Sequence, residues 1–174
     1  MLVVGISACL LGEKVRYDGG DKKNPVLLAQ KERQISYIPI CPEAQCGMGV
    51  PREPMQLEGD PQKPRLVTVN SRIDKTAILS NWSKAQITVL QKNKIDGFIF
   101  KNRSPSCGLE VTVHNSSKTA TKPQGMGLFA QQVKNSFVDL PMAQDDDLQN
   151  QENIQKFIME MKHPTPQPSR EQDG

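Results

Sequence analysis

Residues 97–108 read GFIFKNRSPSCG: four apolar residues, a basic and polar turn, then a cysteine followed by glycine. An apolar run this short has the pattern of a strand buried on both faces, as in a parallel sheet. Ser and Pro follow it, so Cys107 stands where a buried strand reaches the surface. Two other segments repeat the arrangement. LVVGIS (2–7) leads into ACLLG and Cys9, and ISYIPI (35–40) leads directly into Cys41; Pro39 within it fits an edge or a strand end.

The segments between these runs read as helices, further strands and one long loop. PVLLAQKER (25–33) has Pro at a first helical position and basic residues at its end. RIDKTAILSNWSKAQITVLQKN (72–93) places Ile73, Ala77, Ile78, Trp82, Ala85, Val89 and Leu90 at helical spacings. QGMGLFAQQVKNSF (124–137) reads as a helix preceded by glycines, and DDDLQNQENIQKFIMEMK (145–162) as one with acidic residues at its positive end. RLVTV (65–69) and LEVTVH (109–114) read as strands, while the Pro- and Gly-rich stretch 41–64 reads as an ordered irregular loop. The expected fold class is α/β: a single domain with a mainly parallel sheet flanked by helices, with ligand cysteines at the C-terminal ends of strands. Residues 1–140 form the expected domain, 141–162 a C-terminal helical extension and 163–174 a disordered, Pro-rich tail.

The chain of 174 residues can bury a core without disulfides or metal to hold it. A net charge of +3, with 36% hydrophobic and 24% charged residues, gives no sign of a nucleic-acid partner. No apolar run reaches the roughly 18 residues of a membrane span, and the start lacks the basic flank of a signal peptide, so a cytoplasmic protein is expected. In that compartment four cysteines point to metal binding, catalysis or core packing rather than to disulfides. With only His114 and His163 available, a metal site must be mainly thiolate.

In open α/β sheets, sites form outside the carboxyl ends of strands. Cys9, Cys41 and Cys107 share that position, so parallel strands would bring the three thiols together. Such a set suits zinc with one open position or an iron–sulfur cluster; buried core thiols are the alternative. Cys46 has no strand behind it and reads as a bystander, with a fourth ligand or a reactive thiol as alternatives. Glu43, Ser104 and Ser106 fall beside the cysteines, where a carboxyl can act as acid or base and a hydroxyl can relay a proton. Ordinary roles compete: Glu43 can pair with Arg52, Ser104 can form a turn before Pro105, Lys101 and Arg103 can be solvated, and Arg16 with Asp18 can stabilise a turn.

SACLLGEKVRYDGG (7–20), CPEAQCGMGVPREP (41–54) and KNRSPSCG (101–108), in this order and with a helix before the third, resemble the domain of unknown function 523 family. Its characterised members are thiouracil desulfidases. The resemblance covers about residues 1–140 and implies a 4Fe-4S cluster held by three cysteines, here Cys9, Cys41 and Cys107, with one open iron. It also implies Glu43 and Ser104 as catalytic residues; Ser7, Lys101 and Ser106, beside the cysteines in sequence, are candidate substrate contacts. The implied reaction is non-redox: 2-thiouracil or 4-thiouracil and water give uracil and hydrosulfide. The implied partner is a small thiolated base. The C-terminal segments resemble the linker of longer relatives that carry a further domain. A zinc- or thiol-dependent enzyme, with Cys107 as nucleophile, and a non-enzymatic cluster or sulfide carrier are the competing functions.

Overall fold

The three apolar runs become neighbouring strands of one parallel sheet. The computed structural model describes residues 1–31, 33–115 and 124–165. Its elements are β1 (Leu2–Ser7), α1 (Pro25–Leu28), β2 (Ile35–Ile40), β3 (Met55–Asp60), β4 (Lys63–Thr68), α2 (Thr76–Lys92), β5 (Gly97–Phe100), β6 (Val111–His114), β7 (Gln124–Gly125), α3 (Leu128–Ser136), β8 (Met142–Gln144) and α4 (Gln151–Lys162). The main sheet has the order β2-β1-β5-β8, and all its neighbours are parallel. Pro39 sits on β2, an edge strand, where a missing N–H costs least.

Burial on both faces explains why β1 and β5 read as continuous apolar runs, whereas β2, at the edge, is buried only at its ends. On one face Val4, Ile6 and Ile99 pack against Leu27 of α1 and Ile154, Phe157, Ile158 and Met161 of α4. On the other, Phe98 and Phe100 pack against Ile87 and Leu90 of α2 and Phe129 and Val133 of α3. The Phe98 and Phe100 rings stack with centroids 4.2 Å apart, and both meet Phe129 edge-on. Gly5 of β1 opposes Phe98 in register, and a Cβ there would come within 2.3 Å of the Phe98 ring. The fold is therefore a single α/β domain with a parallel sheet between helical layers. Segment 141–162 supplies β8 to the sheet and α4 to its core.

A second sheet, β4-β3-β6-β7, combines an antiparallel hairpin with the parallel pair β3–β6. This corrects the reading of 41–64 as loop alone: Met55–Asp60 is a strand, joined to β4 across Pro61 and Gln62. Pro and Gly obscured it because Pro64 lies on the edge strand β4 and Gly59 adopts a positive φ of 93° opposite it. LEVTVH forms a strand only from Val111, in this second sheet. Helix α2 begins at Thr76, and its buried face is Leu79, Ser83, Ile87 and Leu90, whereas Ile73, Ile78 and Val89 are exposed. Ile73 is part of the turn before the helix: its carbonyl accepts from Thr68 N–H and its N–H donates to Thr68 Oγ1. The expected helix over 145–162 divides into a turn at Asp145–Asp147 and α4, which Asn150 caps through Asn153 N–H. Most of the tail expected to be disordered, 166–174, lies outside the described residues. No helix among the described residues is long and apolar enough to cross a membrane.

Two measurements check this packing. Phe98→Ala empties the junction of β1, β5 and α3 and is expected to lower unfolding free energy in urea by about 3–5 kcal/mol. Glu58 accepts from both Arg72 terminal nitrogens, at 2.5 and 2.8 Å, and this pairing lowers its carboxyl to about 2. A depressed carboxyl contributes stability above its unfolded value near about 4.3, and that stability is lost as pH falls through about 2. Glu58→Gln should therefore melt below wild type at pH 7, with the gap closing between pH 4 and 2; Arg72 is exposed, so added salt should shrink the gap.

Candidate active site

β1 pairs with β2 on one side and β5 on the other, so its C-terminal end lies at the sheet's switch point. The chain leaves these three adjacent strands through the three cysteine segments. Cys9 lies in a tight helical turn, Ala8–Leu11, that Gly12 closes at φ 91° by donating to Ala8 O and Cys9 O. Cys41 directly follows β2. Cys107 lies seven residues beyond β5, in a loop with no regular secondary structure.

That loop is fixed from three sides. Ser104 Oγ accepts from the Ser106 and Cys107 N–H groups at 3.2 and 3.1 Å, and Gly108 N–H donates to Ser104 O at 2.8 Å. The first N–H groups of α3, with no partner inside their own helix, donate to the loop carbonyls: Leu128 to Pro105, Phe129 and Ala130 to Ser106. Gly127 N–H donates to Gly108 O, and a Cβ on Gly127 would come within 2.7 Å of Cys107 N. Only glycine permits this approach of helix to loop.

The Cys41 segment is organised as a wide helical turn, Ala44–Met48, broken at Gly47 with φ 98°. Gln45 N–H donates to Cys41 O, and the Gln45 side chain accepts from Cys41 N–H. Gly47 and Gly49, both at positive φ, reverse the chain and return Arg52 to Glu43. Glu43 Oε2 accepts from Arg52 Nε and from a terminal Arg52 nitrogen, each at 2.8 Å, and Oε1 accepts from Ser106 Oγ at 2.8 Å. Sequence reading set pairing with Arg52 against a place in the site, yet Glu43 has both. Ser104 likewise forms a turn and borders the cavity.

Cys9, Cys41 and Cys107 all line one cavity of about 460 Å³, together with Glu43, Ser104, Ser106, Ser7 and Lys101. Cys46 is not among its lining residues; it donates to Glu43 O at 3.3 Å and packs toward the core beneath the second sheet. Ser7 Oγ accepts from Lys101 N–H at 2.9 Å. The Lys101 ammonium is engaged by Asp145 at 3.1 Å and by Asn102. Arg16, Lys22 and Arg103 add positive charge to the lining. Arg16 and Arg52 drew notice in the sequence only as turn and pairing residues. The signal for Arg52 was the pair of glycines before it.

Burial dominates the thiols. It pushes Cys9 up to about 11, against the pull of Arg16 and Lys101 and with a further push from Cys41. Burial also raises Cys41, opposed by the Ala44 N–H and Arg52, and raises Cys107 strongly, with Cys41 and Cys9 adding to it. Thiols so protonated are poor nucleophiles, but a cationic metal group displaces such protons. Among the described residues no three His, Cys, Asp or Glu side chains are grouped to hold a single metal ion. The three thiols rim a space instead, with no histidine or aspartate lining it, a donor set that fits a thiolate-bound cluster.

Residues 4–145 match the family described as 2-thiouracil desulfurase. The chain belongs to that family. The uncharacterized protein YbbK of Bacillus subtilis (strain 168) is 26% identical over 135 residues, which span 74% of this chain and 87% of YbbK. Among solved structures, the 4Fe-4S-dependent thiouracil desulfidase TudS matches with a TM-score of 0.68 at 26% identity, covering 85% of this chain and 93% of that one. The family is the one that the three motifs resemble, and the α/β fold is the one TudS has.

The clamp on the third loop is testable in metal-free protein. Gly127→Ala should force α3 away from Ser106 and Cys107 and raise the labelling rate of the buried Cys107 by a thiol reagent at least about tenfold, that is, by about 1.4 kcal/mol of local opening. Mass spectrometry of the labelled peptides reads this out against Cys46 as the internal reference.

Proposed function

We propose that the protein is a 4Fe-4S-dependent, non-redox desulfidase that removes sulfur from a thiolated pyrimidine such as 2-thiouracil or 4-thiouracil, giving uracil and hydrosulfide. One observation carries the reading: three thiols, two buried and one half-buried, from the loops that follow adjacent parallel strands rim a single cavity that also holds a buried carboxylate. The family and the likeness to TudS support the same chemistry. In this reading Cys9, Cys41 and Cys107 hold the cluster. When bound there, it supplies a Lewis-acidic iron with affinity for soft sulfur.

The chain's own residues do the rest. Glu43, its oxygens directed by Arg52 and Ser106, takes a proton from water as that water adds to the thiocarbonyl carbon, and returns a proton as the C–S bond breaks. The balance is one water consumed, one C=S replaced by C=O, and one hydrosulfide and one proton released, with no electron transferred. Ser104 shapes the turn that presents Cys107, and its hydroxyl borders the cavity beside the substrate space. Ser7, Ser106 and Lys101 line the remaining polar wall. Burial of Cys107, with its raised thiol, disfavours the competing reading of a free cysteine nucleophile.

Anaerobic reconstitution should give brown protein with about four irons per chain that releases hydrosulfide from 2- or 4-thiouracil. Ala at position 9, 41 or 107 should abolish iron loading, while Cys46→Ala should retain it. Glu43→Gln should keep the iron and cost about 10²–10⁴ in turnover. Loaded wild type that releases no hydrosulfide from any thiolated base would sink the reading, and bleaching by Cys46→Ala would overturn the ligand assignment.

A further inference from the structure

Arg52 bonds directly to two of the three segments that carry the cavity's thiols and reaches the third through Glu43. Its side chain is only 7% exposed and Glu43's 12%, so the pair is desolvated. Such a pair is a weak device for stability alone, because the cost of burying both charges offsets most of their attraction. The geometry is also unusual for stability: Nε and a terminal nitrogen both converge on Glu43 Oε2, while Nη1 donates to Gly49 O at 2.9 Å. Oε1 is left to Ser106, in the loop of Cys107. The Arg52 backbone N–H donates to Tyr17 O at 2.8 Å, in the segment that follows Cys9. A planar guanidinium can serve carboxylate and carbonyl together; an ammonium on a flexible stem holds no such fixed fork.

We propose that Arg52 is a positioning residue for the desulfuration: its guanidinium sets the rotation of the Glu43 carboxylate and ties it to Gly49 of the Cys41 segment, while its main chain anchors that segment to the one that follows Cys9. The role rests on the functional reading above and acts through Glu43. Removing Arg52 frees the carboxylate to turn, so the reacting water is met in the wrong geometry while substrate still binds. Arg52→Gln should therefore lower kcat about a hundredfold and leave KM and iron content near wild type. Arg52→Lys should recover part of the loss.

The deciding measurement is a double-mutant cycle on sulfide release from loaded protein. In a Glu43→Gln background Arg52→Gln should cause no further loss, since the carboxylate it directs is gone. Losses that multiply, or a lowered melting temperature with unchanged kcat, would overturn the role. If Arg52→Gln fails to fold or load, Arg52→Lys carries the same cycle. Loaded wild type without turnover fails the functional reading itself and the Arg52 role with it, whereas active wild type with a multiplicative cycle fails Arg52 alone.

Discussion

The contact on which the rest depends is the pairing of β1 with β5. Gly5 opposes Phe98, and the Phe98 ring occupies the space a side chain would need. Packed this closely, the two strands deliver their C-terminal ends side by side at the switch point, with β2 beside them. Three cysteines far apart in the chain thus come to one cavity by the register of three strands. The rigid part of the site is paid for by two apolar cores, one on each face.

The second level of organisation acts on the loops. The segments after β2 and β5 do not end at the cavity; each continues into a strand, and those strands, β3 and β6, pair. The Cys41 and Cys107 segments are thereby joined twice, by this pairing beyond the cavity and by the Ser106–Glu43 hydrogen bond within it. The α3 N-terminus adds backbone donors to the loop carbonyls, each bond worth about 0.5–1.5 kcal/mol. A loop held this way has little freedom to rearrange, which suits a site whose groups must be preorganised.

The same enclosure creates an electrostatic cost. Burial holds all three thiols in the protonated form, and the surrounding cations only partly oppose it. A set of sulfur donors, two buried and one half-buried, on a cationic wall is poised to exchange protons for a positively charged group. Glu43 stands as the cavity's carboxylate among Arg16, Lys22, Arg52, Lys101 and Arg103, so its orientation decides where negative charge meets the cavity.

The sequence by itself determined three strands of the main sheet, the α/β class and the family. Two-sided burial leaves uninterrupted apolar runs, and the cysteine motifs follow them at short range. Glu43, Ser104 and the cysteines were legible for the same reason. The hairpin in 41–64 was not, because edge prolines and turn glycines carry the same composition as a loop. The buried face of α2 was not legible either, since apolar residues stand on both its faces and only packing selects Leu79, Ser83, Ile87 and Leu90. Tertiary structure alone decided that Cys46 faces a separate core and that Arg52 braces Glu43. Both depend on a chain reversal at Gly47 and Gly49: glycine permits the positive φ of that turn, but where the reversed chain leads is fixed only by its partners in the fold.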